Sequence, residues 1–129
     1  MKNQWHLLYC DQSFDLCPIA EFIDACRPNH QIKIIRFLTL LEQHGPTLPR
    51  PYADILHDGI HELRITLSGD QIRLLYFFCH RKFIVLYDAF IKNTQRVPEK
   101  FIQNVALYRK EFMGRLTRDD LEELIRANL

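Results

Sequence analysis

Three cations, Arg64, Arg73 and Lys92, fall where one face of one small sheet would carry all of them. The stretch 61–92 reads HELRITLSGDQIRLLYFFCHRKFIVLYDAFIK. Its three runs rich in Ile, Leu, Val, Phe and Tyr are split by Ser68-Gly69-Asp70 and by His80-Arg81-Lys82. Such runs, broken by short turn clusters, read as a meander of two hairpins. Gly69-Asp70 is a favoured two-residue turn, and with that loop Thr66 stands opposite Arg73 and Arg64 is its diagonal neighbour. Side chains alternate faces along a strand, so both arginines point the same way. The second hairpin turns at His80-Arg81 or at Arg81-Lys82. Either two-residue loop puts Asp88, Phe90 and Lys92 on the face of Arg73, whereas a three-residue loop reverses that parity.

The run IRLLYFFC is apolar on both faces apart from Arg73, which predicts the central strand. An arginine there must be paired or must border an opening. Two readings stand: a salt bridge from Arg73 to Asp88 or Glu62, or an anion site, because a guanidinium binds phosphate bidentately. The meeting of Arg64, Arg73 and Lys92 favours the anion site. Glu62 has the parity to face the arginines, where it reads as an ion-pair partner rather than a general base. No other His or Glu is placed to act as a base there. His57 and His61 are four apart, but Asp58-Gly59 breaks any helix between them and no HExxH occurs, so no metal site is expected. His6, His30, His44 and His80 are scattered and read as surface or interface residues. No GxSxG, P-loop or GxGxxG is present, and no cofactor is expected. The aromatics Tyr76, Phe77, Phe78, Phe83 and Tyr87 alternate as core residues do, with base stacking as the lesser alternative.

The elements that position these residues can be read around the meander. Trp5 to Cys10 is a short first strand. Pro18 opens a helix with Ile19, Phe22, Ile23 and Cys26 at helical spacing, and Pro28 ends it. A longer helix runs to about His44, with Ile32, Ile35, Leu38 and Leu41 as its apolar stripe and Gly45-Pro46 as its stop. The two helices form a hairpin on one sheet face. Residues 47–59 are an ordered connector. After the sheet, Pro98 opens a third helix with Phe101, Ile102, Val105, Tyr108, Phe112 and Met113 on one side, and Gly114 ends or interrupts it. Thr117 and Asp120 resemble a capping box for a last helix carrying Leu121, Leu124 and Ile125. The order βααβββαα implies an α+β domain.

With 129 residues, 47% of them hydrophobic and 26% charged, the chain fits one globular domain. No apolar run approaches the ~20 residues of a membrane span, and MKNQWHLLYCDQ lacks the features of a signal peptide. A cytoplasmic location without membrane association is expected. Cys10, Cys17, Cys26 and Cys79 show neither disulfide nor zinc spacing and read as free thiols. The formal net charge of +1 does not announce a nucleic-acid binder, so any such role rests on local clustering.

The segments LEQHGPTLPRPYADILHDGIHELRI, IRLLYFF and AFIKNTQRVPEKFIQNVALYRKEF occur in that order. Together they resemble the HigB-like, phage-derived branch of the RelE/ParE toxin superfamily, over about residues 5–115. The most specific parts are LPRPY, the D-G-x-x-E-L-R segment ending at Arg64, and F-x-K-x-T-x-x-x-P from Phe90 to Pro98. The resemblance implies a RelE-like fold: an N-terminal strand and helical hairpin on a mostly antiparallel sheet, followed by C-terminal helices. Residues 1–116 would form the toxin domain and 117–129 its helical extension, a docking element for a partner. It also implies the toxin of a type II toxin–antitoxin pair, a metal-independent mRNA endoribonuclease that acts with the ribosome. A helix-turn-helix, HigA-like antitoxin would silence it, with operator DNA reached only through that antitoxin. Arg64 and Arg73 match basic residues that contact the scissile phosphate, and Lys92 matches the lysine at the exit of the last strand. Asn93, Gln95 and Arg96 follow as substrate-binding residues. Members often carry a second basic residue where this chain has Asn93, a loss that by analogy costs on the order of 10²-fold in rate unless Arg96 substitutes. The near-neutral charge is a second departure, since active toxins are usually basic. The superfamily also contains ParE-like toxins that bind a protein target such as gyrase, and a weakened, antitoxin-binding protein is a further alternative.

Overall fold

The structure, a computed structural model, describes residues 5–9, 18–67, 69–92 and 97–127. Strands β1 (His6–Tyr9), β2 (Ala53–Ile55), β3 (His61–Leu67), β4 (Asp70–Cys79) and β5 (Phe83–Ile91) form one sheet in the order β1-β5-β4-β3-β2. Neighbours are antiparallel except β1, which runs parallel to β5. β4 is central, as its composition predicts. A strand without polar breaks needs cover on both faces, and Ile72, Leu74, Leu75 and Phe77 are all 0% exposed.

Helices α1 (Pro18–Ala25), α2 (Pro28–His44), α3 (Glu99–Arg115) and α4 (Arg118–Ala127) supply that cover. α1 packs on β5 and α2 on β3, over the face of Leu63, Ile65, Ile72 and Leu74. α3 packs on the other face through ring contacts of Phe77 with Tyr108 and Phe112, and of Tyr87 with Tyr108. The α+β class, the mostly antiparallel sheet and the C-terminal helices are as expected. No helix among the described residues is long and apolar enough to cross a membrane.

Pro28 sits in the first turn of α2, where its missing N–H leaves no bond unmade. At the other end Gly45 has φ 55° and donates its N–H to Leu41 O. A Cβ there would lie 2.2 Å from the Trp5 indole nitrogen. Trp5 in turn donates its backbone N–H to Glu42 O at 3.0 Å. Gly45 therefore stops the helix and lets the start of β1 lie across its end.

Four local expectations need correction. The buried stripe of α2 is His30, Ile34, Leu38 and Leu41, while Ile32 and Ile35 are 54% and 58% exposed. Apolar residues surround this helix, so spacing alone leaves its inward face undetermined. The connector 47–59 contains β2, which pairs Ala53 with Leu63 and makes the order βααββββαα. Three residues are too few to show a period of two. α3 passes through Gly114 to Arg115, since no side chain crowds that exposed position, and Met113 lies outside the core.

The capping box of α4 forms as expected. Asp120 N–H donates to Thr117 Oγ1 at 3.2 Å and Thr117 N–H to Asp120 Oδ2 at 2.9 Å. α4 is tied to the β4–β5 turn by Lys82–Glu122 at 2.9 Å, and its Leu121 is fully buried. The side chains of Leu124 and Ile125 lie outside what is described, as do Cys10 and Cys17; Cys26 and Cys79 are free thiols.

Candidate functional site

Both hairpins differ in register from expectation, and both differences bear on the cations. The β3–β4 pair closes at Leu67–Asp70, not at Ser68–Gln71. Gly69 takes positive φ (83°), and Asp70 is freed to enter β4, where its carboxylate lies 3.3 Å from His30 Nε2. Arg64 is consequently directly opposite Arg73 rather than diagonal to it.

The β4–β5 pair closes at Cys79–Phe83, which makes a three-residue loop. His80 and Arg81 turn it in the left-handed region, at φ 52° and 59°. That loop alone would reverse the parity of β5. A bulge restores it: Tyr76 pairs with Leu86 but Leu75 with Asp88, so Tyr87 is the extra residue. Arg73 thus pairs with Phe90, and Lys92 donates its N–H to Gln71 O at 2.6 Å. The structure therefore brings Arg64, Arg73 and Lys92 to one end of one face. Asn93, Gln95 and Arg96 lie outside the described residues.

The arginines are not bare. Glu62, whose side chain is 3% exposed, sits between them with Oε2 3.0 Å from Arg64 Nη2 and Oε1 3.1 Å from Arg73 Nε. The Arg73 contact is close but misaligned, and neither atom makes a directed hydrogen bond. Arg64 also donates to Asp54 Oδ2 at 2.9 Å, and Arg50 reaches Asp54 Oδ1 at 3.1 Å. Burial would raise the Asp54 carboxyl, but the hydrogen bonds from Arg50 and the Ile55 amide and the two guanidinium charges hold it below its ordinary value. Arg73 Nη2 donates to Gln71 Oε1 at 3.1 Å. The salt bridge that the sequence divided between Asp88 and Glu62 is made by Glu62. Arg50, Arg64, Arg73 and Lys92 still outnumber Asp54, Glu62 and Asp88 by one, so the ladder stays cationic.

Burial pushes Lys92 below its ordinary value; the Arg73 charge adds to this, Glu62 opposes it and Arg64 adds again. Asp88 shares the face, in register with Leu75 and Glu62. Burial raises its carboxyl against a hydrogen bond from Ala89 N–H, and among the described residues it makes no ion pair. Sequence reasoning passed over Asp88 as a base, along with Gln71 and Arg50 as members of the ladder. The two-residue spacing of Gln71 to Arg73 was the available signal; for Arg50 there was none, because β2 went unread. Phe90 stacks on Phe101 of α3 with centroids 4.3 Å apart, closing one side. His57 contacts Asp58 and Glu99 while His61 stacks on Tyr76, and no metal-ligating cluster occurs among the described residues.

Residues 21–110 match the family described as phage derived protein Gp49-like (DUF891). The chain belongs to this Gp49-like family. The matched span holds Arg64, Arg73 and Lys92 together with their carboxylate partners, while β1 and α4 of this Gp49-like protein fall outside it. The Gp49-like family is associated with RelE-like toxins and is consistent with the toxin of a toxin–antitoxin pair. No curated protein matches the chain.

Proposed function

We propose that this Gp49-like protein is a HigB-like, ribosome-dependent mRNA endoribonuclease, the toxin of a type II pair silenced by a helix-turn-helix antitoxin. One observation carries the reading: Arg64 and Arg73 are directly opposite each other on one sheet face, with Lys92 at the same end. Like charges placed opposite each other on adjacent strands repel, and a phosphodiester relieves that repulsion. The reaction is attack of a ribose 2′-OH on the adjacent phosphate. It forms a 2′,3′-cyclic phosphate and releases a 5′-OH.

Arg64 and Arg73 hold the non-bridging oxygens and meet the charge that grows on the phosphorane. Asp88, the carboxylate not engaged by an arginine, takes the 2′-OH proton. Lys92, with its affinity for a proton lowered, gives one to the leaving 5′ oxygen. Gln71 aligns Arg73.

The second reading, a toxin that binds a protein target such as gyrase or an antitoxin without cutting RNA, draws on Glu62, which already lies within ion-pair distance of both arginines. Induced expression of wild type and Arg73→Ala in a bacterium lacking the antitoxin, with mRNA 5′ ends mapped, separates them. Growth arrest with new cleavage sites, both lost in Arg73→Ala, is expected of the ribonuclease. Arrest without cleavage is the result expected of the second reading.

A further inference from the structure

A half-open cavity of about 190 Å³ lies where the end of α2, the edge strand β2 and strands β3 and β4 meet. Gly45 and Pro46 line it from the helix end, His61 from β3, Tyr76 and Phe78 from β4, and Arg50 from the connector. His61 and Tyr76 alternate with Glu62 and Leu75, so they belong to the face opposite the arginine ladder.

The wall is aromatic. His61 stacks on Tyr76 with centroids 5.5 Å apart, and Phe78 stands edge-on to His61 at 4.9 Å and to Tyr76 at 5.7 Å. Tyr76 is 1% exposed, yet among the described residues its hydroxyl has no hydrogen-bond partner, and neither do the ring nitrogens of His61. None of these atoms is among the buried unpartnered ones, so they are open to the cavity. Burial holds His61 below its ordinary value, Asp54 opposing, so the imidazole is neutral and offers one donor and one acceptor. Arg50, its side chain 75% exposed, supplies a cation at the outer edge.

We infer that this cavity binds one nucleotide, with its base against His61 and Phe78 and its phosphate at Arg50. An aromatic wall, neutral groups able to donate and accept, and the exposed Arg50 guanidinium at the edge beside Asp54 match a heteroaromatic ring with an anionic tail. The volume is below the ~300–1,000 Å³ of drug-sized pockets, so it takes one ring system rather than a whole dinucleotide. The nucleotide is free in solution or part of a single strand. Asp54 connects the cavity to the ladder, bonding Arg50 at 3.1 Å and Arg64 at 2.9 Å, so a strand held at the ladder has a path across β2 to the cavity. The inference stands on the cavity and does not depend on RNA being cut.

Trp5, the sole tryptophan, lies 5.0 Å from Phe78 and reports on the wall by its fluorescence. The full chain is titrated with adenosine monophosphate, adenosine, inorganic phosphate and a short oligo(2′-deoxyadenylate), which has no 2′-OH to react. Adenosine monophosphate is expected to quench saturably, adenosine about tenfold more weakly, and phosphate not at all. Arg50→Ala brings the monophosphate down to the affinity of adenosine, and His61→Ala weakens both. Far-ultraviolet circular dichroism confirms folding, and the exposed Arg50 keeps the test decisive if His61→Ala does not fold. An oligomer at least about tenfold tighter than the monophosphate assigns the site to single strands, and equal affinity assigns it to free nucleotides. No saturable quenching by either, or quenching unchanged in both variants, overturns the inference, and RNA cleavage by the same preparation shows that the proposed function survives it.

Discussion

Glu62 stands between Arg64 and Arg73, which face each other across β3 and β4, and gives one carboxylate oxygen to each at 3.0 and 3.1 Å. The arrangement makes a cationic pair foldable without a ligand. It also sets a competitor for any phosphate that reaches the arginines.

Glu62→Gln should therefore do two opposite things. Removing one partner of a buried ion pair leaves charge uncompensated, and urea unfolding should show a loss of about 3 kcal/mol. The folded fraction should bind uncleavable RNA several-fold more tightly, because the guanidinium groups lose their internal anion. Fluorescence anisotropy measures the second effect, and weaker binding would show that Glu62 presents the arginines rather than competing with phosphate.

Asp88→Asn should stabilise the protein and abolish cleavage. Burial raises the Asp88 carboxyl, so the fold favours its neutral form. Its contribution is fully present below the unfolded value, and is lost as pH rises through the folded value. The variant's advantage is thus largest near pH ~7 and fades in acid. Denaturation at both pH values and a cleavage assay check it, and a destabilised variant at neutral pH contradicts it.

The alkaline limb of the pH–rate profile should belong to Lys92. Its pKa is lowered by burial and by Arg73, so activity should fall at a pH below the ordinary lysine value. Lys92→Arg, which does not deprotonate in that range, should lose the limb and keep part of the rate. A limb unchanged in Lys92→Arg assigns the proton elsewhere.

Gly45→Ala tests the fold rather than the site. Its Cβ would meet the Trp5 indole at 2.2 Å from a backbone at φ 55°. A loss of about 2 kcal/mol or more is expected, with a red-shifted Trp5 emission as the ring is displaced. Unchanged emission would mean that Trp5 packs elsewhere.

Alternation along β3 and β4 was legible in the sequence because apolar runs this long leave little choice of face, and it placed Arg64 and Arg73 together. Register was not. The three-residue turn at His80 and the bulge at Tyr87 each shift parity once, and the two cancel, so Lys92 reaches the expected end by a route no alternation pattern displays. β2 escaped because three residues beside two prolines carry no period, and with it went Asp54 and Arg50, one end of the ladder. Glu62 was recognisable as a partner from parity alone. Its simultaneous hold on both arginines depends on their being directly opposite, which only the register decides.

The most direct test is cleavage of a defined mRNA on programmed ribosomes by purified wild type and Arg73→Ala, with the product ends analysed chemically. A 2′,3′-cyclic phosphate and a 5′-OH from wild type, with a rate at least ~10²-fold lower in a folded Arg73→Ala, is the predicted result. No cleavage by wild type, or equal rates in the two proteins, contradicts a phosphate held between Arg64 and Arg73.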